Sequence, residues 1–457
     1  MKKILAIAAI SVRTAVRSKV ILSLVAILVL IIVGLPLTIK GDGTVTGHAQ
    51  VLITYTLSMV TFILSLSTLW AACAAVSMDV MERQIHMVVT KPVRRIQIWA
   101  GKWLGLIVLN AFLLGISGLT IYGLLRWTTG KADIESEAIT ILEEEVLTAR
   151  LRVGPTFPDV RSEARRHVLE RRKAGDLPEG ISIENAVAAT AQGILIRANS
   201  VPRGASLSWI FHLPITVRAG ETIHFRYSFS NSDMSLSRVT GAWRFGGPDA
   251  MEQVQRSRDD TAEGFHSFRL PSSVVSPDGS VLVQFLNANA VPVAVLFPPA
   301  DGLALYVPAG TFEGNLFRLL LITLFHLAFL AAVGVTAGSL FSMPVAAFAS
   351  FYMVVVLKFI PYIQSMANRE TILTSTAPGA ERSFVLLDWF IKIFFQAMDF
   401  VVSPLQTRNP LEALGTGEMV PWNLVGYVFI VKVVVYGGLV AVIGGWLFNR
   451  RELGLPS

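Results

Sequence analysis

Apolar residues in this chain come in long unbroken runs, not in the three- or four-residue rhythm of a soluble helix. A run of roughly 20 such residues spans the ~30 Å hydrocarbon core of a bilayer. The first is Val20–Ile39, bracketed by Lys19 and Lys40, and the second covers about Val51–Met78. A third runs from about Trp103 to Leu125, with Trp103 and Trp127 placed as interface anchors. After a long polar insert, further spans fall at about Leu319–Met343, from the Ser342-Met-Pro344 turn to about Met366, and at Trp422–Phe448. The pattern predicts a polytopic α-helical membrane protein with six transmembrane helices. Residues 4–18 precede the first span and carry Arg13 and Arg17, so they are expected to lie as an amphipathic helix in the interface. Met1-Lys-Lys imitates a signal peptide, but no small-residue cleavage pattern follows, and an uncleaved helix is expected.

Phe384–Val402 is apolar but contains Asp388, Lys392 and Asp399. As a seventh span it would send Arg450 and Arg451 to the outer side. A re-entrant or amphipathic outer hairpin within 367–420 is expected instead. Gly334-x-x-x-Gly338 in the fourth span has the spacing that lets another helix approach closely.

The polar insert divides the chain into residues 1–127, 128–313 and 314–457. Its first part, 128–200, reads as helical, with Asp133–Arg152 repeating apolar residues at Ala138, Ile141, Leu142 and Val146. From 201 to 313 the period changes to two. Leu207, Trp209, Phe211 and Leu213 share one face, as do Ile223, Phe225, Tyr227 and Phe229, and Val281, Val283 and Phe285 repeat the pattern. Turn-rich separators such as Ser276-Pro-Asp-Gly lie between them. The expectation is an extracytoplasmic α+β domain containing a jelly-roll-like antiparallel β-sandwich. Trp209, Phe211, Tyr227 and Trp243 are read as core, with stacking on a sugar as the competing role.

Charge sharpens this division. The chain is 53% hydrophobic and 16% charged, and its net charge of +7 is unevenly spread. Residues 127–313 carry −4 and the remainder +11. A basic membrane part suits anionic lipid headgroups on the cytoplasmic side. No basic stripe with interleaved aromatics appears, so nucleic acid is not an expected partner. Cys73, the single cysteine, lies in an apolar run and is read as a buried thiol. The seven histidines are scattered without metal-ligand spacing. There is no phosphate loop, nucleophile elbow or His-Glu-x-x-His helix. The chain is therefore not expected to be an enzyme or to hold a cofactor or metal.

The polar stretch between the second and third spans, Asp79–Lys102, is short and basic: Arg83, Lys91, Arg94, Arg95 and Lys102 stand against Asp79 and Glu82. The positive-inside bias places it in the cytoplasm. Ile85, Val88 and Val89 share a helical face, and Pro92 suits the start of the next helix. The run Glu82-Arg-Gln-Ile-His-Met-Val-Val-Thr-Lys-Pro92-Val-Arg-Arg, closed by Gly101-Lys102, resembles the signature of type-2 ABC exporter permeases. Glu82, Ile85, Val89, Thr90, Pro92, Val93, Arg95, Gly101 and Lys102 fill the family's positions, while Arg83-Gln84 stands where members often have Gly-Thr. The resemblance covers about 1–127 and 314–457, including the closing Phe448-x-Arg-Arg-Glu452, and does not cover the insert.

The resemblance implies that residues near 80–95 form a coupling helix docking on a separate ABC ATPase subunit. It also implies that a second permease subunit completes the working unit. On that basis Glu82, Arg83, Ile85, Val89, Thr90, Lys91, Arg94, Arg95 and Lys102 are the expected coupling residues, with Pro92 setting the helix break. The expected function is to couple ATP hydrolysis in the partner to movement of a substrate. The location implied is the bacterial inner membrane, with both termini cytoplasmic. The competing reading is a membrane-anchored extracytoplasmic module that binds a glycan, a lipid or an envelope protein. A second constellation is intramembrane charge: Lys432 falls deep in the last span and Lys358 in the fifth. Asp388 or Asp399 is available to offset Lys432, and a hydrated cavity is the other way to hold it; snorkelling suits Lys358 better.

Overall fold

A long apolar run satisfies its backbone polar groups internally only by coiling into a helix. The computed structural model describes residues 2–17, 19–38, 45–81, 94–131, 136–176, 183–233, 237–367, 385–406 and 410–450. The chain divides into two units. One comprises Met1–Ala149, Thr311–Pro361 and Phe400–Ser457, and the other Arg150–Gly310 and Tyr362–Asp399.

The helices before the β-rich region are α1 (Lys2–Arg17), α2 (Lys19–Thr38), α3 (Val45–Met81), α4 (Arg95–Lys131) and α5 (Ser136–Glu145). Within the insert lie α6 (Arg161–Lys173) and α7 (Ile183–Ala198). Beyond it come α8 (Phe312–Leu340), α9 (Met343–Lys358), α10 (Ile360–Ala367), α11 (Val385–Val402) and α12 (Pro410–Gly415). The last rod is α13 (Trp422–Val428), a π-helical stretch Phe429–Gly437, and α14 (Gly438–Arg450).

Four of these are long and apolar enough to cross a membrane: α3, α4, α8 and the Trp422–Arg450 rod. The pair α9–α10 supplies a fifth, but it is bent by 56° where one unbroken span is expected from the sequence. Pro361 explains the break, because it brings no amide hydrogen to the ladder and suits only the first turn of a helix. The six expected spans are therefore four to five by this criterion. Helix α2 forms where the first span is predicted, but its apolar portion among the described residues is Ser23–Leu35. Helix α11 carries Asp388, Lys392 and Asp399 and is not among the helices that meet this criterion.

Helix α8 is the hub of the membrane unit. Of its apolar window 72% is buried, against 28% for the last rod. Glycine makes this possible. A Cβ on Gly334 would stand 2.6 Å from Cβ of Ala72, and one on Gly338 would stand 2.3 Å from the carbonyl oxygen of Cys73. The small-residue stripe thus lets α8 meet α3 backbone to backbone within one chain. Leucines from α3 (Leu57, Leu64), α4 (Leu109, Leu113) and α8 (Leu319, Leu327) fill the core around that crossing. Thr68 donates to Asn110 Oδ1 at 2.9 Å, tying α3 to α4. Asn315 fixes the chain before the last rod: its Nδ2 donates to Glu418 O at 2.8 Å, and its Oδ1 accepts from Val420 N at 2.7 Å.

In the other unit, eight longer strands are β1 (Thr148–Val153), β2 (Ser206–His212), β3 (Thr222–Tyr227), β4 (Arg238–Phe245), β5 (Val254–Thr261), β6 (His266–Pro271), β7 (Ser280–Asn287) and β8 (Leu303–Thr311). They form two sheets in the orders β1-β8-β3-β6 and β2-β7-β4-β5. That double Greek-key order is a jelly roll. The predicted alternation sets the register: Trp209 faces Val283 and Phe211 faces Val281 across β2–β7. Trp209, Phe211, Tyr227 and Trp243 all lie in the core, so they stack on neighbouring side chains and not on a sugar. The rings of Tyr227 and Trp243, from opposite sheets, lie 4.6 Å apart. Tyr227 also donates to Asp260 Oδ2 across the sandwich. Burial and that hydrogen bond push the Tyr227 hydroxyl pKa far up.

One expectation is corrected here. The sandwich starts at Thr148, well before residue 201, because β1 forms where a continuous helical segment is expected. Helices α6 and α7 then pack on each other as an inserted pair, with Ala164 and Val168 against Ala186 and Val187. His224, which alternates with the apolar positions of β3, is itself buried. Burial lowers its pKa to about 3, helped by the nearby charges of Arg150 and Arg269.

Two predictions follow from these contacts. Gly338→Leu should destabilise the membrane unit by about 1–3 kcal/mol through overpacking. Gly34→Ala, with nothing within 4 Å, should not. Thermal unfolding in detergent that ranks the two variants equally would contradict the close α3–α8 crossing. His224 is held neutral in the fold, so the unfolded chain binds the extra proton between pH 6.5 and about 3. Its contribution is complete above pH 6.5 and is lost as pH falls towards 3, with a slope approaching ~1.4 kcal/mol per pH unit. Protease sensitivity of the β-rich unit against pH should show that slope, and His224→Phe should flatten it.

Candidate functional site

Helix α3 ends at Met81 and α4 begins at Arg95, so the elbow of the sequence joins the two longest helices of the membrane unit. Arg94 forms the N-cap: its carbonyl accepts from Gln97 N at 2.8 Å, and Gln97 Oε1 accepts from Arg94 N at 3.2 Å. This is the reciprocal exchange of a capping box, made here with a backbone acceptor.

The bases flanking the elbow turn inward. Lys102 forms an ion pair with Asp79 and donates to the carbonyl of Ala75, both in the last turns of α3. Arg95 donates to the carbonyls of Phe448 at 2.6 Å and Asn449 at 3.2 Å, at the end of α14. Helix C-termini carry partial negative charge and unpaired carbonyls, and a cation answers both. Gly101 has a different task. A Cβ there would sit 2.6 Å from Cβ of Ile7, and one on Gly105 would sit 2.9 Å from Cβ of Ser11. Glycine at these places lets α1 lie directly along α4. Four chain segments therefore meet at the base of the elbow, held by two cations and two glycines.

One cavity of the membrane unit lies between α3, α8, α9, α12 and the last rod, and measures about 570 Å³. Ser58, Thr61 and Ser65 line it from one face of α3, spaced i, i+3, i+7. Thr323 and His326 line it from α8, and Lys432 from the π-helical stretch. Lys432 is 7% exposed. A π-helix widens the α ladder from i→i+4 to i→i+5 bonds and occurs frequently at functional sites. Phe62, Leu66 and Phe351 also line the cavity and are themselves well exposed.

Several expected site residues are thus located. Arg95 and Lys102, both expected coupling residues, make contacts within the chain: Arg95 to carbonyls at the end of α14, and Lys102 to Asp79 and the Ala75 carbonyl. Arg94 is exposed beside the elbow. Glu82, Arg83, Ile85, Val89, Thr90, Lys91 and Pro92 lie outside the described residues. Trp103, expected as an interface anchor, donates from Nε1 to the carbonyl of Ala328 at 2.8 Å and stacks on Trp99. Lys432 lines that cavity. Lys358 closes α9, and its side chain lies outside the described set. Asp388 and Asp399 stand on α11 in the other unit, Asp388 buried and Asp399 half-buried. The hydroxyl stripe of α3 and His326 were not singled out from the sequence. The stripe's helical spacing was the available signal, while His326 shows nothing until α8 is packed.

No protein-family model matches the chain, and no curated protein is similar enough to indicate a relative.

The clamp makes a measurable prediction. Asp79 and Lys102 are 29% and 13% exposed, so removing the cation leaves a half-buried carboxylate and an Ala75 carbonyl without it. Lys102→Met should destabilise by roughly 1–3 kcal/mol, and adding Asp79→Leu should recover part of that loss. Strictly additive effects in a thermal-unfolding double-mutant cycle would show that the pair does not hold the end of α3.

Proposed function

We propose that this chain is the membrane-embedded permease subunit of an ATP-driven machine of the type-2 ABC exporter kind. In this reading the segment between Met81 and Arg94 docks on a separate ATPase subunit, a second permease subunit completes the assembly, and α2 together with the bent α9–α10 pair makes six spans. The elbow and both termini face the cytoplasm, and residues 128–313 are extracytoplasmic, in a bacterial inner membrane. ATP is hydrolysed in the partner, and this chain changes conformation in response.

The observation that carries the proposal is the clamped base of the elbow. A ligand or partner shifts a protein between states only through contacts that differ between those states. A segment rooted in a loose loop would dissipate a push. This one is rooted in α3 through Asp79 and Lys102, in α14 through Arg95, and in α1 through Gly101. Displacement at residues 82–93 is therefore passed to several helices at once. The signature residues support the same reading: its glycine and lysine have distinct mechanical tasks in the fold. The competing role as a glycan-binding anchor loses its support in the aromatic residues, since all four are core.

Detergent extraction of the intact assembly tests this. A nucleotide-hydrolysing protein should co-purify, and Glu82→Lys should leave the assembly intact while separating ATP hydrolysis from substrate movement. The reading fails if no ATP-binding partner is present and cysteine labels at residues 82–93 react only from the outer face.

A further inference from the structure

We propose that α6, the basic helix of the inserted pair, is the binding surface for a linear polyanion with phosphates repeating along its backbone. The polymer lies along the face built by Arg161, Arg165, Arg166, Arg172 and Lys173. This goes beyond the ATP-coupled reading and does not depend on it, since α6 belongs to the β-rich unit and binding is measured without nucleotide.

Three observations support the assignment. The first is segregation of charge. Helix α6 carries six bases and two acids, a net +4 with His167 neutral. It does so inside an insert whose total is −4, so the rest of the insert stands at −8. At 3.6 residues per turn, the five named bases fall within a sector about 140° wide that holds no acid. Glu163 and Glu170 stand outside that sector, where His167 lies between them, 3.8 Å from one and 3.9 Å from the other. The second observation is that the fold makes little use of these bases. All five are exposed, while Ala164 and Val168 form the buried face that packs on α7. Arg161 pairs with Glu184 at 3.0 Å, but both side chains are more than 60% exposed and water screens them. Among the described residues no carboxylate forms an ion pair with Arg165, Arg166, Arg172 or Lys173. The helix dipole favours Arg172 and Lys173 in the last turn, yet gives no reason for Arg165 and Arg166 in the middle. Arg161 and Arg165 stand i, i+4, where like charges repel. The third observation is shape. From Arg161 to Lys173 the bases are strung along ~18 Å of helix axis. A small ion covers one or two of them, whereas a chain of closely spaced charges covers the line and releases its own counterions. Four of the five are arginines, whose forked donors match phosphate oxygens in pairs. Leu169, at 40% exposure, is the one large apolar side chain exposed on α6. The helix therefore has no apolar stripe to sink into a bilayer, and a lipid surface is the poorer fit.

The experiment is fluorescence anisotropy of end-labelled long-chain polyphosphate with the full chain in phosphatidylcholine nanodiscs, any co-purifying partner retained. Saturable binding is expected, weakening roughly 100-fold between about 50 and about 200 mM salt, the response of five neutralised charges. The triple variant Arg165→Gln, Arg166→Gln, Lys173→Gln should weaken binding about tenfold or more at low salt. It should also lower the slope of log affinity against log salt by about two. A second triple variant, Arg203→Gln, Arg218→Gln, Arg238→Gln, removes the same charge from exposed positions elsewhere in the β-rich unit. That variant should keep both the affinity and the slope of the wild type. Equal losses in the two variants would overturn α6 as the site, because net charge alone would then set binding. Full affinity in the first variant, or no saturable binding in the wild type, would overturn it as well. Tripolyphosphate at matched phosphate should not compete; equal competition would show that the bases are not read as a line and would overturn the polymer. Displacement of polyphosphate by phosphatidylglycerol vesicles at matched phosphate would overturn it in favour of a lipid surface. Each of these outcomes is independent of whether ATP hydrolysis in a partner depends on Glu82.

Discussion

The membrane unit depends on one contact, the backbone-to-backbone approach of α3 and α8 at Gly334 and Gly338. In an apolar solvent helices gain little from hiding apolar side chains, so close packing and a few polar bonds must hold them together. Glycine supplies the packing, because a single Cβ at Gly338 would collide with the carbonyl of Cys73. That crossing sets where the two helices diverge, and the cavity lies along their length, lined by Ser58, Thr61 and Ser65 on one and Thr323 and His326 on the other. It also fixes the far end of α3, which Asp79 and Lys102 bind to α4.

Charge does two kinds of work in this molecule. At the elbow, cations meet helix C-termini, where the partial charge of the backbone and the unpaired carbonyls favour them. Arg95 and Lys102 each take backbone carbonyls in this way, and Lys102 adds a carboxylate. At Lys432 a lysine lies in the middle of an apolar rod, beside hydroxyls and an imidazole. The surroundings of these two lysines differ: helix ends in one case, a cavity wall with hydroxyls in the other.

The β-rich unit obeys a different rule. Water is its solvent, so apolar alternation drives two sheets together around a dense aromatic core. Inside it, Tyr227 and Asp260 satisfy each other, and His224 is held neutral. The buried imidazole of His224 links its stability to pH.

Much of this was legible along the chain. Unbroken apolar runs determined where long helices form, and period-two alternation marked the strands β2, β3 and β7. The Gly-x-x-x-Gly spacing marked a close crossing, and the run from Glu82 to Lys102 marked the elbow. What the sequence left open was decided by contacts between distant segments. A strand at Thr148–Val153 exists because β8, some 150 residues later, pairs beside it. Arg95 and Lys102 read as exposed bases until α14 and α3 bring their carbonyls within reach. His326 is one polar residue in an apolar helix until α3 and the last rod close a cavity over it. Local period is written in neighbouring residues and survives in one dimension. Which side chain answers which, across the bundle, exists only once the helices have crossed.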